Sequence, residues 1–190
     1  LHGDLDQRER ERTLIRFANK SACILVATDV AARGLDINDM DMVVNYHLAH
    51  DPQTHVHRVG RTGRAGKKGI ACSIYGEAEQ FKVAQIGDHY ERDFDPEPIP
   101  PFSLLEKPAY KPTMATIMID AGKKQKIRAG DILGALTGKE GIAGHQVGKI
   151  NVLDNVAFIA VERAAAKPAL RKLTEGNIKK RKIRARRLSR

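Results

Sequence analysis

Apolar and polar positions change their rhythm partway along the chain, and the change predicts two kinds of structure. In the first part, short continuous apolar runs of the kind that form buried parallel strands alternate with amphipathic segments. Cys23 to Ala27, Met42 to Tyr46 and Ile70 to Tyr75 read as strands, and Leu1-His2-Gly3-Asp4 as the end of another. Leu5 to Asn19 predicts a helix with Leu14, Phe17 and Leu5 or Ile15 as its apolar stripe and with Glu9, Glu11 and the arginines facing water. A helical turn starts at Val30 with Asp29 as its cap. Asp51-Pro52 turns into a helix containing Thr54 to Gly60, and Glu77 to Tyr90 predicts a further helix with Phe81, Ala84 and Ile86 inward.

From Asp93 to Pro112 the periodicity fails. Pro96, Pro98, Pro100, Pro101, Pro108 and Pro112 remove donors and favour extended backbone, as in a linker. Beyond it, Ala115 to Ile119 alternates, Ile127 to Leu136 is helical, and Val147 to Val152 and Val156 to Val161 are strands. Lys167 to Leu173 is a helix and Lys182 to Leu188 a last strand. That order is β-α-β-β-α-β, a four-stranded sheet with two helices. The expected organisation is residues 1–92, a linker at 93–112, and a small domain at 113–190.

Charge sharpens the division. Of the chain's net charge of +10, residues 1–112 carry 15 basic and 17 acidic groups, and residues 113–190 carry 18 basic and 6 acidic. The excess belongs to the second part, which suits a polyanion there: nucleic acid, or an acidic membrane surface. No separate amphipathic anchor is evident, which favours nucleic acid. From Gly176 to Arg190 there are eight basic residues and no acidic one, so any such binding should depend on salt.

Cys23 and Cys72 lie in apolar runs and are expected in strand cores, with no disulfide framework. His47, His50, His55 and His57 invite a zinc reading, but their spacing fits no common four-ligand pattern, and no metal site is expected. No apolar stretch is long enough to cross a bilayer and no signal segment is present, so a reducing cytoplasm is the expected setting.

Two polar segments carry the chemistry. His57-Arg58-Val59-Gly60-Arg61-Thr62-Gly63-Arg64 packs three arginines and a histidine among glycines, which is a phosphate site in outline, although a solvated basic loop would have the same composition. Ala27-Thr28-Asp29-Val30-Ala31-Ala32-Arg33-Gly34-Leu35-Asp36 follows an apolar run. Two such segments at strand ends are what a ligand crevice in an open α/β sheet requires.

Together these segments closely resemble motifs V and VI of the DEAD-box RNA helicases, and with LHGD and the QxxR of Gln7 and Arg10 the resemblance covers roughly residues 1–90. The chain from about Met114, through the run GDILGALTG, resembles the C-terminal RNA-binding domain of the bacterial DbpA type. The resemblance implies an α/β fold: a truncated RecA-like parallel-sheet domain followed by a small α+β RNA-recognition-type domain. The strand and helix that precede LHGD in the family's second RecA-like domain are not in the sequence, so that sheet is expected to lack an element.

By resemblance, Arg61 and Arg64 are the arginine fingers that neutralise charge on the γ-phosphate of ATP, with Arg58 as a third candidate or a structural ion pair. His57 ties the nucleotide site to the neighbouring domain and Asp36 contacts the ribose. Gly3, Asp4, Gln7, Arg10, Thr28, Arg33 and Gly34 line the RNA backbone. The glycine-rich Gly-Lys-Thr/Ser loop and the Asp-Glu-Ala-Asp motif do not occur in this sequence. Most ligands for ATP and Mg2+ are therefore expected on the first RecA-like domain, and this fragment alone is expected to be inactive.

In the small domain, Met118 and Phe158, with Val156, occupy the positions where the RNA-recognition fold stacks bases, and only Phe158 is aromatic. Lys123, Lys124, Lys126, Lys180, Arg184, Arg186 and Arg187 are the alternative contact surface, and Phe158 could instead be half-buried against the tail. The resemblance implies 23S ribosomal RNA as partner, through the helix-92 hairpin, in large-subunit assembly. Two further readings stay open, a non-catalytic RNA-binding module and a basic ribosome-associated adaptor.

Overall fold

The alternation beyond the linker builds a four-stranded antiparallel sheet. The computed structural model describes residues 1–32, 37, 40–63, 66 and 68–188. The strands of this sheet are β3 (Met114–Ile119), β4 (Val147–Val152), β5 (Ala157–Glu162) and β6 (Ala185–Arg187), in the spatial order β4-β5-β3-β6. The register sets Met118 opposite Phe158 on one side and Arg186 on the other. Side chains on a strand alternate between faces, so Ala115, Ile117 and Ile119 share one face with Ala157, Ile159 and Val161. All six are at most 3% exposed.

That face is covered by α5 (Ala129–Thr137) and α6 (Ala166–Glu175). Helix α5 contributes Ile132 and Leu136, one turn apart, and α6 contributes Ala166, Ala169 and Leu173 along one stripe. Asp131 accepts a hydrogen bond from Arg128 N–H at 2.8 Å, which satisfies a donor that the start of α5 would leave unpaired.

The other face of the sheet is closed as well. Residues up to 33 and from 108 onward form one compact unit, and residues 34–107 form a second. In the first unit, α1 (Gln7–Ala18) starts at Asp6, whose carboxylate accepts from Glu9 N–H at 2.7 Å. Its buried Ile15 clusters with Met118 and Phe158. Of the expected apolar stripe, Ile15 is buried, and Leu14 and Phe17 are half-buried.

Leu1 to Asp4 ends in a turn, not a strand, and Cys23 to Ala27 is not a strand either. Ile24 and Val26 are 77% and 79% exposed, and Cys23 is exposed. A strand exists only as part of a ladder. Among the described residues the Val26 carbonyl accepts from the Leu1 terminal ammonium and Thr28 N–H, just past the run, donates to the Leu1 carbonyl, which makes no ladder. Helix α2 (Asp29–Ala32) is capped by Thr28, whose hydroxyl accepts from Ala31 N–H at 3.4 Å, and Asp29 sits inside it.

In the second unit, β1 (Met42–Asn45) and β2 (Ile70–Ser73) pair in parallel. Met42, Val44 and Ile70 are about half exposed, and Cys72 on β2 is exposed, contrary to the core position expected of it. Helix α3 (Pro52–Val59) is capped by Asp51, which accepts from the Thr54 amide and hydroxyl, each at 2.8 Å. Those two bonds hold the Asp51 carboxyl below the usual carboxylate range. Helix α4 (Gln80–Tyr90) buries Ile86, while Phe81 and Ala84, expected inward, are exposed.

Candidate nucleotide and nucleic-acid interface

Helix α1 and its surroundings gather the first group of expected RNA-contacting residues. Gly3 and Asp4 form an exposed turn, with Asp4 carboxylate 3.5 Å from His2 Nδ1, and Gln7 is exposed at the first position of α1. Arg10 donates to the Ala31 carbonyl at 2.7 Å, and Thr28 N–H donates to the Leu1 carbonyl at 3.0 Å. One neighbourhood thus holds the Gly3–Asp4 turn, Gln7, Arg10 and Thr28. Arg10 spends part of its hydrogen-bonding capacity holding α1 to α2. Arg33, Gly34 and Asp36 lie outside the described residues.

Helix α3 carries the histidine and arginine cluster, and helical spacing separates its members. His57 is exposed, whereas His55 is buried. His55 meets Tyr90 edge-on at 6.0 Å. Burial, and secondarily the nearby Arg58, push the His55 imidazole below the usual histidine range, so it is neutral at pH 7. Arg58 donates to Asn45 Oδ1 at 3.2 Å and to the His47 carbonyl at 2.7 Å, which ties α3 to the end of β1. It is a structural tether.

Arg61 is half-buried on a backbone held from both sides. Its carbonyl accepts from Met40 N–H at 3.1 Å, and the buried Thr62 hydroxyl donates to the Met40 carbonyl. Gly63 has φ 67°, and a Cβ on Gly69 would stand 2.1 Å from Thr62 Oγ1 and 2.4 Å from Gly63 N. Both glycines are therefore needed to keep this turn tight. A guanidinium on a pinned, glycine-bordered turn fits a phosphate group. Arg64 lies outside the described residues. Among the described residues no three His, Cys, Asp or Glu side chains gather as metal ligands would.

In the small domain the basic candidates are displayed. Lys123, Lys124, Lys126, Lys180, Arg184, Arg186 and Arg187 are all exposed. Lys123 and Lys124 stand on amides that donate to the Leu153 and Asp154 carbonyls at 2.8 and 2.9 Å, so the 122–126 loop is fixed to the β4–β5 hairpin. Met118 and Phe158 behave differently from expectation. They are 3% and 2% exposed, covered by Ile15 with Leu153, Val156 and Leu188 around them. Thr116 on the same face meets Asn19 Nδ2 at 3.3 Å and Ser21 Oγ at 2.7 Å. Arg186, 3.7 Å from Met118 Sδ and 3.9 Å from Asp120 Oδ1, borders this closed face.

Lys179 escaped the sequence reading. Its ammonium donates to the Lys126 carbonyl at 2.8 Å and lies 2.9 Å from Asp131 Oδ2, joining the tail to the 122–128 loop. No local pattern announces such a bond, because both partners are distant in sequence. The Lys179 contact, with the Arg128 amide, keeps the Asp131 carboxyl below the usual range.

Residues 1–66 match the helicase conserved C-terminal domain and residues 116–187 the DbpA RNA binding domain. The chain is 48% identical over 186 residues to the ATP-dependent RNA helicase DbpA of Escherichia coli (strain K12), covering 98% of this chain and 40% of that protein. It is 32% identical over 183 residues to the ATP-dependent RNA helicase DbpA of Bacillus subtilis (strain 168), covering 85% of this chain and 38% of that one. A crystal structure of a DEAD box protein from Methanococcus jannaschii is 47% identical over 49% of this chain and 26% of that one, with a TM-score of 0.45. The chain thus spans about 40% of the length of the DbpA relatives it matches.

Proposed function

We infer from one premise, that the chain belongs to the DEAD-box helicase family as the C-terminal part of a DbpA-type member, that it supplies the RNA tether and the arginine fingers of an ATP-dependent RNA helicase. Residues 1–92 are read as the second RecA-like domain, 93–112 as a linker and 113–190 as the RNA-binding domain. The partner is 23S ribosomal RNA at the helix-92 hairpin, in large-subunit assembly, and the setting is the cytoplasm.

One observation carries the tether. The lysines and arginines of the 122–126 loop and the tail are exposed, while Met118 and Phe158 are covered. That arrangement favours charge-assisted contact with phosphates over stacking of bases. For the nucleotide, Arg61 on its pinned turn, with Arg64, would neutralise the γ-phosphate. Asp36 would meet the ribose, and Mg2+ ligands would come from the first RecA-like domain. ATP supplies the free energy by hydrolysis. This chain's part is to position guanidinium groups and to hold one RNA strand while the core domains close around it.

Restoring the first RecA-like domain should yield RNA-stimulated ATPase activity, and Arg61→Ala should lower kcat by about 10³-fold or more while leaving RNA affinity intact. Unchanged turnover in that variant would refute the finger role. For the tether, the helix-92 hairpin should bind more tightly than a scrambled hairpin of equal length near physiological salt. Equal binding would remove the ribosomal specificity. Loss of all binding on replacing the exposed Lys180, Arg184, Arg186 and Arg187 by glutamine, with the melting temperature kept, would favour the basic adaptor instead.

A further inference from the structure

Residues Ile178 to Arg181 fold back on themselves. Ile178 N–H donates to the Arg181 carbonyl and Arg181 N–H to the Ile178 carbonyl, both at 3.0 Å, so two residues form the whole turn. Those residues, Lys179 and Lys180, have φ of 51° and 65°. A two-residue reversal with both central residues left-handed is the turn that glycine, asparagine and aspartate dominate, because a Cβ is disfavoured there. Two adjacent lysines are an unusual occupant, and packing does not account for them: both side chains are exposed.

Beneath the turn, Ile178 is 2% exposed and anchored in the core, so the reversal has a fixed base. Lys179 reaches back to the Lys126 carbonyl and Asp131. Lys126 is itself left-handed, at φ 58°. Three strained lysines therefore meet where the tail touches the 122–128 loop. Strain of this kind persists where the surrounding structure over-determines it, commonly at sites that clamp a ligand.

We propose that the Ile178–Arg181 turn is a preformed phosphate-gripping tip of the RNA interface, in which Lys180 contacts the RNA backbone and Lys179 is a positioning residue that locks the tip to the 122–128 loop. This rests on the RNA-tether reading and assigns it a place. Lys126 stands on the same patch, and Lys123 and Lys124 belong to the loop that Lys179 secures. The ligand class is a run of consecutive phosphates on one strand. Neither base identity nor the closed sheet face enters the contact.

The test uses the whole 190-residue chain, its thermal melting, and its affinity for the helix-92 hairpin RNA across a salt series. Lys180→Gly and Lys180→Asn relieve the backbone strain, so each should raise the melting temperature by about 3–6 °C. Each should also weaken binding by about 3–10-fold and reduce the slope of log affinity against log salt by about one contact's worth. Lys179→Ala should weaken binding, and Lys179→Arg, which can still reach Asp131, should restore most of it. Lys180 variants that gain stability and bind as tightly as the parent, with the same salt slope, would overturn the tip. Equal melting of the parent and both variants would show that no strain is held there and would overturn it too. If the parent chain itself fails to bind the hairpin, the tether reading falls first, a result distinct from either of those.

Discussion

Gly122 sits where the basic 122–126 loop presses on the β4–β5 hairpin, and replacing it with alanine is a demanding test of how that loop is held. Its φ is −153°, so the constraint is space and not backbone conformation. An added Cβ would stand 2.1 Å from the Leu153 carbonyl oxygen and 2.8 Å from that of Asp154. These are backbone atoms and cannot rotate away. To bring the nearer contact to about 3 Å, the loop and the hairpin turn must part by about 0.9 Å, which would stretch the 2.8 and 2.9 Å bonds from the Lys123 and Lys124 amides beyond useful length. Two backbone hydrogen bonds are worth about 1 kcal/mol each, and overpacking adds about 1 kcal/mol or more, so Gly122→Ala should cost about 3 kcal/mol. In urea that lowers the unfolding midpoint by about 2 M. Hairpin RNA binding should weaken in parallel, since Lys123 and Lys124 ride on the displaced segment. Gly130→Ala is the control, because nothing lies within 4 Å of its added Cβ; it should be neutral or stabilising by up to about 1 kcal/mol. A Gly122→Ala chain that unfolds at the parent midpoint and binds RNA equally well would show that the loop is not held as described.

Thr116→Val keeps the shape but strips the hydroxyl that meets Asn19 and Ser21, and should cost about 1–3 kcal/mol in urea unfolding; an unchanged midpoint would mean that α1 does not rest on this face. Arg58→Ala should destabilise the 34–107 unit by about 1–3 kcal/mol, read by calorimetry, and an unchanged transition would mean that Arg58 does not tie α3 to β1. His55 has a folded pKa below its unfolded value, so the unfolded state takes up the proton more readily as pH falls. Stability of this unit should therefore decline below about pH 6.5 and not above it, followed by fluorescence of the neighbouring Tyr90, and His55→Phe should flatten the profile.

Much of the small domain was legible because its signals are local. Alternation at Ala115 to Ile119 and the 3.6-residue stripe of α6 each state which face is apolar, and their order alone specifies β-α-β-β-α-β. The motif segments were legible for a similar reason, since residue type and spacing carry them. Individual roles were less so. His55 and His57 are two residues apart on one helix, yet one is buried and neutral and the other exposed, and Arg58 beside them is committed to Asn45 and His47. Those assignments depend on what the opposite element places against each side chain.

Sequence by itself determined the match to the helicase C-terminal and DbpA RNA-binding families, the concentration of charge beyond residue 112, the order of elements in the small domain and the residue types available to grip phosphate. Only the tertiary structure decided that Cys23 to Ala27 forms no strand, because a strand needs a partner to form a ladder. It alone decided that Met118 and Phe158 are covered, because periodicity reveals an apolar face but not what packs on it. It alone decided that Lys179 and Lys180 sit in a left-handed turn, where Ile178 is anchored in the core and Lys179 finds its acceptors on a loop remote along the chain. Propensity would have placed glycine or asparagine there, and the buried Ile178 with the Lys179 contacts holds the turn in place.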